Sequence, residues 1–170
     1  FSRTTDRLGH GIDHGILDAV VGLNAFDINT TGSCEGHLNW GTGAPYIDVE
    51  APEAYKLREK LRGIPDTPRD QLKTISDPRE QLREEITLKN LNERRKLMSL
   101  LGEFYAERTV PYEVRLQVQC MALGWSRIES QGTELQKIAS EQEKQESLVK
   151  FQTEMYEFAQ FLKEKYLSTS

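Results

Sequence analysis

The sequence lacks the features that mark membrane and secreted proteins. No apolar run approaches the roughly 18 residues that cross a bilayer, and no hydrophobic signal segment follows Phe1 to Arg7. The two cysteines, Cys34 and Cys120, lie far apart and form no disulfide framework. We therefore expect a cytoplasmic protein with no membrane partner. Because the chain does not begin with Met, we expect that residues before Phe1 have been removed.

The sequence also lacks an excess of basic charge. It has 22 lysines and arginines against 27 aspartates and glutamates, which gives a net charge of -5 and a pI near 5.3. Proteins that coat nucleic acids gain affinity when a basic face releases counterions. We therefore expect no general nucleic-acid binding, and we interpret Arg94, Arg95 and Lys96 as part of a solvated helix face.

Familiar enzyme motifs are missing as well. The chain has no phosphate loop, no Rossmann glycine fingerprint and no serine nucleophile elbow. These absences disfavour the common nucleotide hydrolases, dehydrogenases and α/β-hydrolases. The 170 residues, of which 37% are hydrophobic, are enough to bury a core without the help of a disulfide or a metal.

The patterns that are present predict an α+β fold in a single domain, residues 1–170. Apolar and polar residues alternate most clearly from Tyr112 to Cys120, which predicts a strand. Helical spacing predicts a short helix within Ile12 to Ala25 and a long one whose apolar stripe, Leu148 to Tyr166, packs in its own domain. The predicted sheet is small and mostly antiparallel, with strands near 29–34, 45–50, 112–120 and 125–131. We expect the domain to consist of a sheet core at 1–51 and 108–133, a helical insertion at 52–107 and a C-terminal helix at 134–170.

Start signals locate the helices of the insertion. Pro52 is the predicted first residue of one helix. Asp77 followed by Pro78 is a cap with proline at the first helical position, and it predicts a second helix that extends to Tyr105. Amphipathic spacing in this second helix predicts that Glu93 faces solvent.

Reactive side chains concentrate near the amino end of the chain. All three histidines, His10, His14 and His37, lie in its first quarter together with Cys34. The densest part is the loop from Gly32 to His37, which follows a predicted strand. Its glycines permit a positive φ and a close approach of the backbone to a ligand. We expect any chemistry of the protein to be found in this loop.

Three interpretations of the loop stay open. In the first, the glycines make a tight turn, Cys34 is a small buried hydrophobe and His37 is a surface residue. In the second, the loop builds a small-molecule or nucleotide-type site from an anion nest of its amides, from His37 and from the neighbouring Asn39, Trp40 and Tyr46. His37 then also favours the thiolate form of Cys34. In the third, Cys34 and His37, which have the Cys-x-x-His spacing, bind a metal. One of three further residues, His10, Asp13 or His14, completes the set of ligands.

The leading interpretation is a small-ligand or catalytic site. Cys34 is then the nucleophile or ligand contact, His37 is its base, and Glu35 orients the pair. The expected ligand is a small anion, and no cofactor is assigned. The predicted ligand-binding residues are Ser33, Gly36, His10, Asp13, Asn39, Trp40 and Tyr46.

Parts of the sequence resemble known proteins. Gly11-Ile12-Asp13, the segment Thr31 to His37 and Pro45-Tyr46-Ile47 resemble a widespread set of small uncharacterised bacterial and phage-associated proteins with a Ser-Cys-x-Gly-His loop. More distantly, the strand and its Ser-Cys-x-Gly turn resemble the wybutosine-synthesis tRNA methyltransferases, in which arginine is typical where this chain has His37. The resemblance extends to Glu50. It implies an α+β fold with the Ser33 to His37 loop as the site, and it implies no reaction.

Two alternative functions depend on other features. One is a non-enzymatic interaction module that acts through the predicted long helices, Asp77 to Tyr105 and Glu134 to Leu167, including as a homodimer. The other is a metal-binding protein that uses Cys34 and histidines. The sequence leaves open whether the protein is an enzyme.

Overall fold

The computed structural model describes residues 11–39, 43–65 and 77–169. Within these ranges, four antiparallel strands form one sheet in the order β1-β2-β4-β3. The architecture confirms the predicted α+β fold with a long C-terminal helix. The division of the chain into a sheet core and a helical insertion stays a prediction. The strands are β1 (Thr30–Cys34), β2 (Tyr46–Glu50), β3 (Leu116–Ala122) and β4 (Trp125–Ser130), and the helices are α1 (Leu17–Ala25), α2 (Ala54–Gly63), α3 (Pro78–Phe104) and α4 (Glu141–Thr169), with 3-10 helices at His14–Ile16 and Gln131–Lys137.

The inner face of the sheet packs against α1, α3 and α4. Ile47 and Ile128 lie opposite each other on β2 and β4, and both are fully buried in one cluster with Leu97 of α3 and Phe158 of α4. Burial of such a side chain stabilises the fold by about 1.5–3 kcal/mol. The apolar stripe of α4 therefore packs within its own chain, as its spacing predicts.

The outer face of the sheet is polar. Side chains alternate between the faces of a strand, so Tyr46 and Asp48 point away from buried Ile47. Cys34 lies directly opposite Tyr46, so the side chain of Cys34 is on the same polar face. The candidate site therefore lies where the outer face meets the end of β1.

β3 and β4 pair as an antiparallel hairpin, but β3 is shorter than predicted. It begins at Leu116, because the chain makes a turn after Pro111 in which the N–H of Val114 donates to the carbonyl oxygen of Pro111 at 3.0 Å. The hairpin turn contains Gly124 with φ +78°, where an added Cβ would lie 2.7 Å from Ile86. Only glycine fits this close approach between the hairpin and α3.

The C-terminal helix begins later than predicted, at Glu141. Residues Gln131–Lys137 form a 3-10 helix instead. The backbone N–H of Ser140 donates to Glu143 Oε2 at 2.7 Å, and the N–H of Glu143 donates back to Ser140 Oγ at 3.3 Å. This reciprocal capping box fixes the start of α4.

The starts of the first two helices also differ from prediction. A 3-10 turn precedes α1, so the helix predicted from Ile12 is divided into two parts. Pro52 does not begin α2, which starts at Ala54. The residue between them, Glu53, has φ 63° and therefore interrupts helical geometry.

The prediction that Glu93 faces solvent is wrong. Glu93 is only 4% exposed, because it lies on the same buried stripe of α3 as Asn90 and Leu97. Lys96 lies on the next turn, with Nζ 3.0 Å from Glu93 Oε1. A buried charge normally requires such a partner.

Candidate functional site

Reciprocal hydrogen bonds join the segment before α1 to the loop after β1. The backbone N–H of Glu35 donates to Asp13 Oδ2 at 3.1 Å, and the N–H of Gly15 donates to Glu35 Oε2 at 2.8 Å. Asp13 immediately precedes a 3-10 helix but makes no side-chain capping bond to it. Its carboxylate is therefore directed to the loop that contains Cys34 and His37.

Gly36 allows this loop to turn back along β2. Its φ is +84°, and an added Cβ would lie 2.8 Å from backbone atoms of Ala44 and Pro45. The left-handed backbone and the close approach both favour glycine. The N–H of Gly36 also donates to Cys34 Sγ at 3.4 Å, so the turn contacts the sulfur directly.

Three side chains of different chemistry converge at this loop. His37 Nε2 lies 3.3 Å from Asp13 Oδ2, and one ligand atom from each of Asp13, Cys34 and His37 lies within 4.8 Å of the other two. Cys34 is buried, whereas the side chains of His37 and Asp13 are 18% and 27% exposed. The cluster is thus recessed but reachable from solvent.

Tyr46 connects the cluster to charges on the outer face of the sheet. The guanidinium of Arg127 lies 3.8 Å from the centre of its ring, and Arg127 Nε donates to Asp48 Oδ1 at 2.7 Å. Burial raises the pKa of Tyr46 above 10.0, and the charges of Asp48, Cys34 and Asp13 raise it further against the opposing effect of Arg127. Tyr46 therefore stays protonated and available as a hydrogen-bond donor beside the cluster.

The loop residues predicted for the site fall into two groups. Cys34 and His37 meet Asp13 from the segment before α1, and the backbone N–H groups of Glu35 and Gly36 bond Asp13 and Cys34. The carboxylate of Glu35 accepts its hydrogen bond from Gly15.

The remaining predicted residues lie around the cluster or outside it. Ser33 lies opposite core residue Ile47, so it faces away from Cys34. Asn39 and His14 are exposed. Two further predicted residues, His10 and Trp40, lie outside the described residues.

Sequence reasoning missed a contribution from α4. Gln152 Nε2 donates to the carbonyl oxygen of Glu35 at 3.1 Å and to that of Gly36 at 3.4 Å. In the sequence Gln152 is one polar residue beside an apolar stripe, and no local signal distinguishes it. Its role comes from the packing of α4 under the loop.

Sequence reasoning also missed a cavity of about 340 Å³ that adjoins the cluster. His37 belongs to both. The described residues that line the cavity are His37, Leu38, Gly43, Thr133, Gln136, Lys137 and Lys144.

Comparison of the chain with protein-family models, curated proteins and solved structures finds no match in any of the three. The resemblance drawn from the Ser-Cys-x-Gly-His loop therefore stays a prediction. Across the described ranges, the helices are too short or too polar to cross a membrane. Function has to be argued from the site itself.

Proposed function

We propose that Asp13, Cys34 and His37 bind a divalent transition metal ion, with zinc as the best fit. The observation that carries the proposal is the convergence of one carboxylate oxygen, one sulfur and one imidazole nitrogen within 4.8 Å. These are the three ligand types that zinc takes in proteins. A thiolate and a carboxylate also balance the two positive charges of the ion.

The distances suit a tetrahedral ion. Zinc bonds of about 2.0–2.3 Å in a tetrahedron place neighbouring ligand atoms roughly 3.3–3.7 Å apart. Asp13 Oδ2 and His37 Nε2 already lie 3.3 Å apart. The sulfur of Cys34 lies within 4.8 Å of a ligand atom of each of the other two residues, so metal binding requires it to move closer by no more than about 1.5 Å.

Outer hydrogen bonds hold the proposed ligands. The N–H of Gly36 donates to Cys34 Sγ, and the N–H of Glu35 donates to Asp13 Oδ2. Such second-shell bonds orient metal ligands and tune the ion. Three protein ligands leave a fourth position for water or substrate, the arrangement of catalytic zinc sites rather than closed structural ones.

A second candidate is thiol chemistry without a metal, with Cys34 as nucleophile and His37 as its base. The observation that favours it is that Cys34 Sγ lies within 4.8 Å of a ring nitrogen of His37 and accepts a hydrogen bond from the N–H of Gly36. Asp13 then orients the imidazole through its 3.3 Å contact with Nε2. The two candidates use the same three residues and differ in whether a metal ion binds them.

Cobalt substitution tests the metal proposal. Protein stripped with a chelator is titrated with Co²⁺, and we expect a thiolate-to-cobalt charge-transfer band with one ion per chain. Cys34→Ser should abolish this band, and Asp13→Asn and His37→Ala should weaken binding. Cys120→Ser is the matched control, because Cys120 is the other free cysteine and is exposed.

Alkylation separates the two candidates. Zinc should protect Cys34 from iodoacetamide and leave Cys120 reactive, so the native protein contains its own control. If Co²⁺ produces no thiolate band and zinc gives no protection, the metal proposal is wrong. Thiol chemistry then predicts that His37→Ala slows the alkylation of Cys34 in the metal-free protein.

A further inference from the structure

The cavity beside His37 has a wall that is positively charged. Lys137 from the second 3-10 helix and Lys144 from the first turns of α4 line it, and no carboxylate occurs among the described residues of its lining. Lys144 Nζ lies 2.7 Å from Glu141 Oε1, but the side chain of Glu141 is 81% exposed. Solvent therefore screens that carboxylate, and it neutralises little of the charge of Lys144.

A buried amide without hydrogen-bond partners forms another part of the wall. Gln136 is only 8% exposed, and within the described part of the chain neither its Nε2 nor its Oε1 has a partner. The amide lies against Gly43, where an added Cβ would be 3.2 Å from Gln136 Oε1. Buried polar groups in folded proteins are almost always satisfied, so this amide indicates a ligand or water that completes it.

The cavity is the right size for a small metabolite. Its volume of about 340 Å³ is at the lower end of the roughly 300–1,000 Å³ found for small-molecule sites. The lining combines apolar Leu38 with Thr133, whose Oγ1 donates to the carbonyl oxygen of Ser130 at 2.7 Å. That hydroxyl can still accept a hydrogen bond from a ligand.

We propose that this cavity binds a small oxyanion, the chemistry shared by phosphate and carboxylate groups. Lys137 and Lys144 supply the opposite charge, and Gln136 Nε2 donates to an oxygen of the anion. Gln136 Oε1 accepts from a hydroxyl or protonated oxygen of the same ligand. The site goes beyond the proposed metal centre and does not need it, although His37 places the two side by side.

Calorimetric titration of the full chain with inorganic phosphate and with malonate tests the proposal. We expect saturable binding of at least one of them, and the tighter probe identifies a phosphate or a carboxylate as the natural group. Lys137→Ala, Lys144→Ala and Gln136→Leu should each weaken binding by about 10- to 100-fold, as expected for hydrogen bonds that involve a charged group. Lys150→Ala is the matched control, because Lys150 is an exposed lysine of α4 outside the cavity.

Two results would overturn the proposal. One is the absence of saturable binding of both probes, and the other is equal affinity in the wild type and in all three cavity variants. Lys137 is exposed, so its variant folds and keeps the test valid even if Gln136→Leu does not. Cys34→Ser should keep anion binding, so failure of the metal proposal and failure of this one give different results.

Discussion

The side-chain amide of Gln152 on α4 donates to the carbonyl oxygen of Glu35 at 3.1 Å and reaches that of Gly36 at 3.4 Å. The C-terminal helix thereby supports the loop that carries Cys34 and His37. Leu148, one turn earlier on α4, also packs against this loop, because a Cβ added to Gly36 would lie 2.8 Å from its Cδ1. The geometry of the site therefore depends on residues from both ends of the chain.

Replacement of Gln152 should weaken the site more than the fold. Gln152→Leu removes both hydrogen bonds to the loop whose N–H groups bond Asp13 and Cys34, and we expect a loss of about 10-fold in metal affinity, the lower end of what direct partners of metal ligands contribute. We expect a loss of about 1 kcal/mol in the free energy of unfolding. Cobalt titration and urea denaturation measure the two effects. Gln142→Leu is the control, since Gln142 is an exposed residue of α4 whose side chain bonds only Glu146 in the described structure. An equal loss of metal affinity in this control would contradict the assigned role of Gln152.

Substitution of Gly36 should be among the most damaging single-methyl changes. Gly36→Ala places a Cβ in a backbone with φ +84° and 2.8 Å from two backbone atoms. The left-handed conformation alone costs about 1–2 kcal/mol, and the contact with backbone atoms adds to it because they cannot rotate away. We expect a fall of at least about 2 kcal/mol in the free energy of unfolding, measured by urea denaturation.

Gly102 provides the matched control for this change. It lies exposed in α3, and an added Cβ meets nothing within 4 Å. Gly102→Ala should raise the free energy of unfolding by about 0.5–1 kcal/mol, because alanine favours helix. Destabilisation by both substitutions would refute the steric argument at Gly36.

Much of the fold could be predicted from local patterns. Asp77 caps α3 as expected, accepting from the N–H of Arg79 at 2.9 Å. Alternation identified most of β3, and β4 was predicted as the strand that follows the turn after it. One error occurred where tertiary packing decides the outcome: Glu93 is charged, yet it lies on the buried stripe of α3. The wrong start predicted for α4 has another cause, because the Ser140 and Glu143 capping box is a local signal that was present in the sequence and was overlooked.

The site was predictable only in part. Cys34 and His37 are close in sequence, and the glycines of their loop indicated a site, but the choice of Asp13 over His14 as the third residue needed the fold. Lys137 and Gln152 are more than ninety residues away from this loop, and no periodicity relates them to it. The expected homodimer through the long helices stays a prediction, as does any partner of those helices.

A tyrosine hydroxyl joins α3, β3 and α4 and should be important for stability. Tyr105 Oη donates to Glu154 Oε1 at 2.8 Å and accepts from the N–H of Leu116 at 2.7 Å. Tyr105→Phe leaves these buried groups short of a partner, which costs about 1–3 kcal/mol. Tyr112→Phe is the control, because Tyr112 is 71% exposed and should change stability by less than about 0.5 kcal/mol. Equal values for the two variants in urea denaturation would contradict this assignment.

A buried carboxylate on the outer face of the sheet should lower stability at neutral pH. Burial raises the pKa of Glu129 above 4.5, against the opposing effects of Arg127 and Lys137 and with the charges of Asp48 and Glu134 raising it further. The folded chain therefore keeps this proton at pH values where the unfolded chain has lost it. The contribution of Glu129 to stability is fully present below the unfolded pKa and is lost as the pH rises through the folded pKa.

Glu129→Gln mimics the protonated carboxyl group and should remove this dependence on pH. We expect the variant to have a higher free energy of unfolding than the wild type at pH 7, because folding of the wild type must there either bury a charge or take up a proton, and the neutral amide does neither. The difference should disappear below about pH 4, where Glu129 is protonated in both folded and unfolded chains. Glu164→Gln, at an exposed position on α4, should follow the wild type over the whole range. Urea denaturation from acid to neutral pH measures the free energy of unfolding of all three proteins. A Glu129→Gln variant that is less stable than the wild type at pH 7 would contradict the prediction, because attraction to Arg127 would then outweigh the cost of burial.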